Sequence, residues 1–176
     1  MADVKPYNRT LMKLQLALLS PAIFAFSFSF GQIKPEDLNI DTSITGFHFA
    51  ADFQGTEVFT KNGSSDINTI NPTAFSFTIA ANMSSATAKD QLNQLLSVSK
   101  ENGYQIKDFV EKDTTLKGNN AYYISYTETD DKTNYKNLVF NAFVITGNTL
   151  ILFTSGDLDN GKYSDKFKKT FYSIKL

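Results

Sequence analysis

The chain has 176 residues, 41% hydrophobic and 20% charged, a balance that fits a globular protein and excludes both a disordered chain and a multi-span membrane protein. A net charge of −1 supplies no global basic field, so neither nucleic acid nor an acidic membrane is an expected partner. The absence of Cys excludes disulfides, thiolate metal sites, a cysteine nucleophile and a lipid-modified N-terminal cysteine.

The N-terminus carries the clearest signal. Leu14 to Phe30 form an apolar run without a charge, preceded by Lys5, Arg9 and Lys13 and followed by Gly31. A basic start, an apolar middle and small residues at Ser29 and Gly31 make the pattern of a secretory signal cut after Gly31. Met12-Lys13 would itself open a compact signal, so Met12 is the expected start. An uncleaved anchor is the main alternative. At about 17 residues the run is short for a ~30 Å hydrocarbon core, and Pro21 and several Ser weaken it. A buried core helix is a third reading. Residues 1–31 are thus read as a signal peptide, 32–45 as an N-terminal arm and 46–176 as a single α+β domain, periplasmic or secreted. The membrane enters only through the first segment, if it stays uncleaved. Loss of Lys5, Arg9, Lys13 and Asp3 would lower the net charge by two.

The polar arm, residues 33–45, reads as a loop or loosely docked segment. Between Gly46 and Phe59 the alternation Phe47/Phe49 predicts a strand, and Gly55 a turn. Residues 61–71 read as a loop. Phe75, Phe77 and Ile79 alternate with Ser and Thr as a half-buried strand. A helix follows, with Thr87 and Asp90 resembling a capping box. Ala88, Leu92, Leu95 and Leu96 form its apolar stripe, and Asn102-Gly103 its end.

Three hairpins come next. The first strand, from Tyr104 to Leu116, turns Ile106 and Val110 inward. After the turn at residues 117–120, Tyr122, Ile124 and Tyr126 share one face of the second strand, with Tyr123 on the other. Residues 129–134 read as a loop. Leu138 to Ile145 is apolar nearly throughout, a central strand covered on both faces. Gly147-Asn148 makes a tight turn into Leu150 to Phe153. Tyr163, Phe167, Phe171 and Ile174 recur on one face of a terminal helix, with Lys162, Lys166, Lys168 and Lys169 on its wet side or ends. The expected fold is α+β, a mostly antiparallel sheet covered by helices on both faces, an α/β/α sandwich.

This order resembles the PsbP-like superfamily, which includes extrinsic PsbP subunits of photosystem II and DcrB-type periplasmic proteins. The resemblance lies in Phe75 to Ile79 leading to a helix, in Gly118 to Tyr126 as a strand after a Gly turn, and in Leu150 to Phe153 followed by the closing helix. It covers about two-thirds of the expected mature chain and rests on packing patterns, so it transfers no functional residue. It implies a PsbP-like sandwich and an accessory role in an envelope complex.

The catalytic inventory is poor, and no catalytic, cofactor-binding or metal-binding residue is assigned. His48 is the sole histidine, which excludes a two-histidine zinc site. Flanked by Phe47 and Phe49, it points away from their face and reads as a solvated or hydrogen-bonded strand residue. Asp157, Asp159 and Gly161 resemble the start of a calcium loop. The Gly comes one position early, however, and Lys168 stands where a bidentate Glu is needed, so Asp or Asn as a helix cap is the simpler reading. Glu128, Asp130 and Asp131 read as a solvated hairpin loop rather than an acid pair. Tyr122, Tyr123 and Tyr126 read as strand packing rather than a binding platform. The expected function is an exported, non-catalytic binding or accessory protein that meets a protein partner or small ligand, with no cofactor. The alternative is an exported hydrolase or calcium-dependent module whose active site goes unrecognised.

Overall fold

The computed structural model describes residues 38, 40–67, 69 and 72–176. The expected signal peptide, residues 1–31, and the proposed start at Met12 lie outside the described residues. None of the helices described is long and apolar enough to cross a membrane.

The chain forms strands β1 (His48–Phe53), β2 (Thr56–Thr60) and β3 (Ala74–Ala81), then helix α1 (Ser85–Glu101). Strands β4 (Gln105–Leu116), β5 (Asn119–Asp130), β6 (Tyr135–Thr146) and β7 (Thr149–Asp157) follow as a meander, and helix α2 (Ser164–Ser173) closes the chain. The seven strands make one sheet in the order β1-β2-β3-β7-β6-β5-β4. Each neighbouring pair is antiparallel. The fold is therefore α+β, dominated by an antiparallel sheet with two helices.

Two hairpin turns explain much of the register. Gln54-Gly55 takes φ of 54° and 85°, and Lys117-Gly118 takes 49° and 82°. Two consecutive positive φ values match the right-handed twist of the flanking strands, and Gly at the second position adopts one without a Cβ clash.

The core divides along the alternation of side chains. On β7, Ile151 and Phe153 join one cluster with Phe75, Phe77, Tyr123, Phe140 and the α2 residues Phe167 and Phe171. Leu150 and Leu152 join a second, with Tyr122, Ile124, Phe143 and the α1 residues Ala88, Leu92 and Leu96. Adjacent strand residues point to opposite sides, so one strand feeds both clusters. The first is built on stacked rings. Phe59 lies 4.9 Å from Phe75, Phe75 lies 5.4 Å from Phe153, and Phe167 packs edge-on to Phe47 at 5.6 Å.

Several local expectations need correction. Helix α1 begins earlier than Thr87. Its cap is Ser84, whose hydroxyl accepts the Thr87 N–H at 3.1 Å. Ser84 sits three residues before Thr87, the spacing at which a hydroxyl reaches a first-turn N–H. Val110 does not point inward. It is 47% exposed, beside Phe109 at 42%, because the register slips between Lys107 and Val110 and Asp108 takes φ of 54°. The bulge breaks the alternation on an edge strand whose charged residues face water. Phe49 is likewise 53% exposed, edge-on to Phe59, whereas Phe47 is buried. The arm is docked where described: Leu38 is buried in the first cluster, Ile40 packs against it, and the Asp41 N–H reaches the Ser173 hydroxyl at 3.4 Å. Polar neighbours obscure these two apolar residues in the sequence.

Candidate functional site

The most chemically unusual residue of the interior is Glu128. It follows Tyr122, Ile124 and Tyr126 at steps of two, so it shares their inward face. It is only 4% exposed. Its Oε1 accepts a hydrogen bond from Ser99 Oγ at 2.5 Å. Its Oε2 accepts from Asn137 Nδ2 at 2.9 Å and from the Tyr135 hydroxyl at 3.4 Å. A buried carboxylate is tolerated when donors surround it. These donors come from α1 and β6 while Glu128 itself is on β5, so it ties the last turn of α1 to the β5–β6 hairpin. Burial first, and then the Glu128 charge, push the Tyr126 and Tyr135 phenols above their ordinary range. Gly156 makes room alongside: a Cβ there would stand 2.9 Å from Asn137 Oδ1.

This corrects the reading of residues 128–131 as one solvated loop. Strand β5 runs through Asp130, which carries Glu128 into the core. The three acids do not converge. Asp130 accepts from the Lys132 N–H and the Thr133 hydroxyl of its own turn, and these bonds, Thr133 first, hold its carboxyl below the usual range. Asp131 accepts from Gln105 Nε2 at 3.4 Å. Sequence reasoning missed the partners Ser99 and Asn137. The signal for Ser99 was present, since it continues the α1 stripe three residues after Leu96 and seven after Leu92.

Asp157 is fully buried at the end of β7. Its Oδ1 accepts the Asp159 N–H at 2.8 Å, and its Oδ2 accepts the Tyr163 N–H at 2.6 Å and the Ser164 hydroxyl at 3.1 Å. The cap expectation needs adjustment. Tyr163 occupies the cap position of α2 and makes no side-chain cap bond, so Asp157 reaches across the loop from the strand to serve the helix entry. Both of its oxygens are thereby engaged by protein donors. Among the described residues no group of three or more His, Cys, Asp or Glu is placed to hold a metal ion.

His48 is exposed on β1, the outermost strand, opposite Thr60. The three tyrosines are core residues rather than a surface platform: Tyr122 and Tyr126 belong to the second cluster and Tyr123 to the first. The Tyr122 hydroxyl donates to Glu111 Oε2 at 3.0 Å, and the Lys89 ammonium lies 4.5 Å above its ring while pairing with Asp113 at 2.6 Å. Burial, then the Glu111 bond, push the Tyr122 phenol up to about 12.

No family model and no curated protein matches the chain. Among solved structures it is similar to the cyanobacterial PsbP protein (CyanoP) of Synechocystis sp. PCC 6803, at 14% identity and a TM-score of 0.47, over 86% of this chain and 98% of that one. It is also similar to a Pseudomonas aeruginosa protein of unknown function, at 12% identity and a TM-score of 0.43, over 84% of this chain and 87% of that one. The PsbP-like resemblance noted in the sequence thus has a PsbP protein among the structural neighbours. At these scores the likeness carries nothing about ligand, partner or mechanism.

Proposed function

We propose that this chain is an exported, non-catalytic binding or accessory protein of the cell envelope. The observation that carries this reading is what the most buried carboxylates do. Glu128 and Asp157 each accept hydrogen bonds on both oxygens from the protein's own groups, so each serves as an internal anchor. The sole histidine stands in water on the edge of the sheet. The reading includes a sandwich with α1 and α2 on opposite faces, supported by the split of the β7 side chains between the α1 and α2 clusters. Export rests on the basic start, apolar run and small residues of 1–31, with 32–45 as an arm on the domain 46–176. A protein or small ligand is the expected partner.

Fractionation of the native host, followed by mass spectrometry, tests export. The expected product begins at Gln32 outside the cytoplasm, and an N-terminus upstream of residue 25 would overturn cleavage. A histidine acting as acid or base contributes roughly 10²–10⁴-fold, so the non-catalytic reading requires His48→Gln to leave any measured activity nearly unchanged. A loss of about a hundredfold with the fold intact would count against it.

A further inference from the structure

The charge of this protein is segregated. Residues 162–175 hold five of the chain's 17 basic residues, Lys162, Lys166, Lys168, Lys169 and Lys175, but only one of its 18 acidic residues, Asp165. The segment is therefore positive while the rest of the chain is negative. Helix α2 fixes where this charge points. Phe167, Thr170 and Phe171 are buried, so the lysines are held on the outward side and flanks. Lys162, Lys168, Lys169 and Lys175 are exposed and Lys166 half-buried. The ion pair among the described residues is Lys89–Asp113, so none of the five makes a direct ion pair with a described carboxylate. Aromatic rings hold three of the ammonium groups in place. Lys162 and Lys166 lie 5.4 and 5.2 Å from the Tyr163 ring centre, and Lys168 lies 4.9 Å from that of Tyr123.

We infer that the outer face of α2 is an electrostatic docking surface for an anionic lipid bilayer. The choice of lipid over an acidic protein follows from residue type. Protein interfaces are built around buried aromatic and Arg anchors and are depleted in Lys. This face has no Arg or Trp, and its cations are dispersed: Lys166, Lys168 and Lys169 lie on a helix about 15 Å long, and Lys162 and Lys175 beyond its ends. Dispersed ammonium groups suit a flat field of lipid charge, in which each Lys adds independently. The inference deepens the accessory reading by naming what one face meets, and it holds with or without export.

The test is co-sedimentation of the full chain with vesicles of phosphatidylcholine alone and of phosphatidylcholine mixed with phosphatidylglycerol. The apolar run of residues 14–30 would bind both kinds, whereas the lysine face binds only the anionic ones. Each neutralised Lys should weaken binding about fivefold. Replacement of Lys162, Lys168, Lys169 and Lys175 by Gln should thus reduce affinity by at least about a hundredfold. A control with Lys100, Lys107 and Lys132 changed to Gln removes three charges from exposed positions off this face, and should stay within about threefold, since a charge held away from the bilayer is screened within a Debye length. Thermal melts of both variants establish that each is folded. High salt should abolish the excess binding of the native chain to anionic vesicles. No excess binding to anionic over neutral vesicles, or equal losses of that excess in the two variants, would overturn the inference, as would retention by an acidic polypeptide without such an excess. Detection of catalytic turnover would instead sink the accessory reading and leave this one standing.

Discussion

The Ser99 hydroxyl donates to the Glu128 carboxylate at 2.5 Å, joining the end of helix α1 to the far end of strand β5. The two residues are 29 positions apart, and Glu128 is almost entirely out of water. A hydrogen bond to a buried charge contributes about 1.5–3 kcal/mol. Ser99→Ala should lower unfolding free energy by that amount in urea titrations. Glu128→Ala should cost more, because it also removes the acceptor of Asn137 and Tyr135, whereas the Ser99 hydroxyl can turn to the Leu95 carbonyl at 3.2 Å. A double-mutant cycle should return a coupling of at least about 0.5 kcal/mol, and additivity would show that the contact contributes nothing.

Asp157 organises the entry to α2 through two backbone N–H groups and the Ser164 hydroxyl. Asp157→Ala leaves the buried Tyr163 N–H without an acceptor, at about 1–3 kcal/mol, and removes the acceptor of two part-buried donors as well. It should therefore be among the most damaging single changes outside the aromatic core. Millimolar calcium should leave the melting temperature of the native chain where it is, since binding to the folded state alone would raise it by mass action. A saturable rise of several degrees would restore the calcium reading.

Helix α2 offers a graded series. Phe167 is fully buried, and deletion of such a ring costs about 3–5 kcal/mol. Lys169 is exposed, and Lys169→Ala should change stability by less than about 0.5 kcal/mol. Thr170 is fully buried, and its Oγ1 has no hydrogen-bond partner among the described residues. Thr170→Val keeps the shape and removes that polar atom, so it should be neutral or stabilising. A loss above about 1 kcal/mol in denaturant titrations would show that the hydroxyl has a partner.

Three phenols set the alkaline limit. Tyr122, Tyr126 and Tyr135 have pKa values raised above the ordinary 10.0, with burial as the main cause. Below pH 10 both folded and unfolded chains keep these protons, so the full stability is present. Above it the unfolded chain releases them first, and stability falls as pH rises. The urea midpoint should be unaffected by these groups between pH 7 and about 9, then drop steeply. Tyr126→Phe should make that drop shallower, and an unchanged slope would remove Tyr126 from the account.

Glu128 marks the line between what the sequence reveals and what it hides. Parity from Tyr122 through Tyr126 already placed position 128 on the inward face, yet the acidic composition of residues 128–131 argued for a loop. Nothing local announces that Ser99 and Asn137 lie within hydrogen-bond reach, because a carboxylate's partners come from wherever the sheet and helix happen to converge. Val110 failed for the opposite reason. Its alternation with Ile106 looked regular, and the bulge at Asp108 that rotates it outward is set by pairing with β5.

The sequence by itself determined the element order, the hairpin turns at Gly55 and Gly118, the apolar stripes of both helices and the burial of Phe167 and Phe171. These follow from periodicity and from the backbone freedom of individual residues, which are local properties. Only the tertiary structure decided that β7 returns between β3 and β6, that Leu38 docks into the first cluster, and that Asp157 serves a helix six residues away. Strand order, arm docking and the pairing of buried polar groups depend on which surfaces meet, and that is settled by the burial of the whole sheet rather than by any one segment.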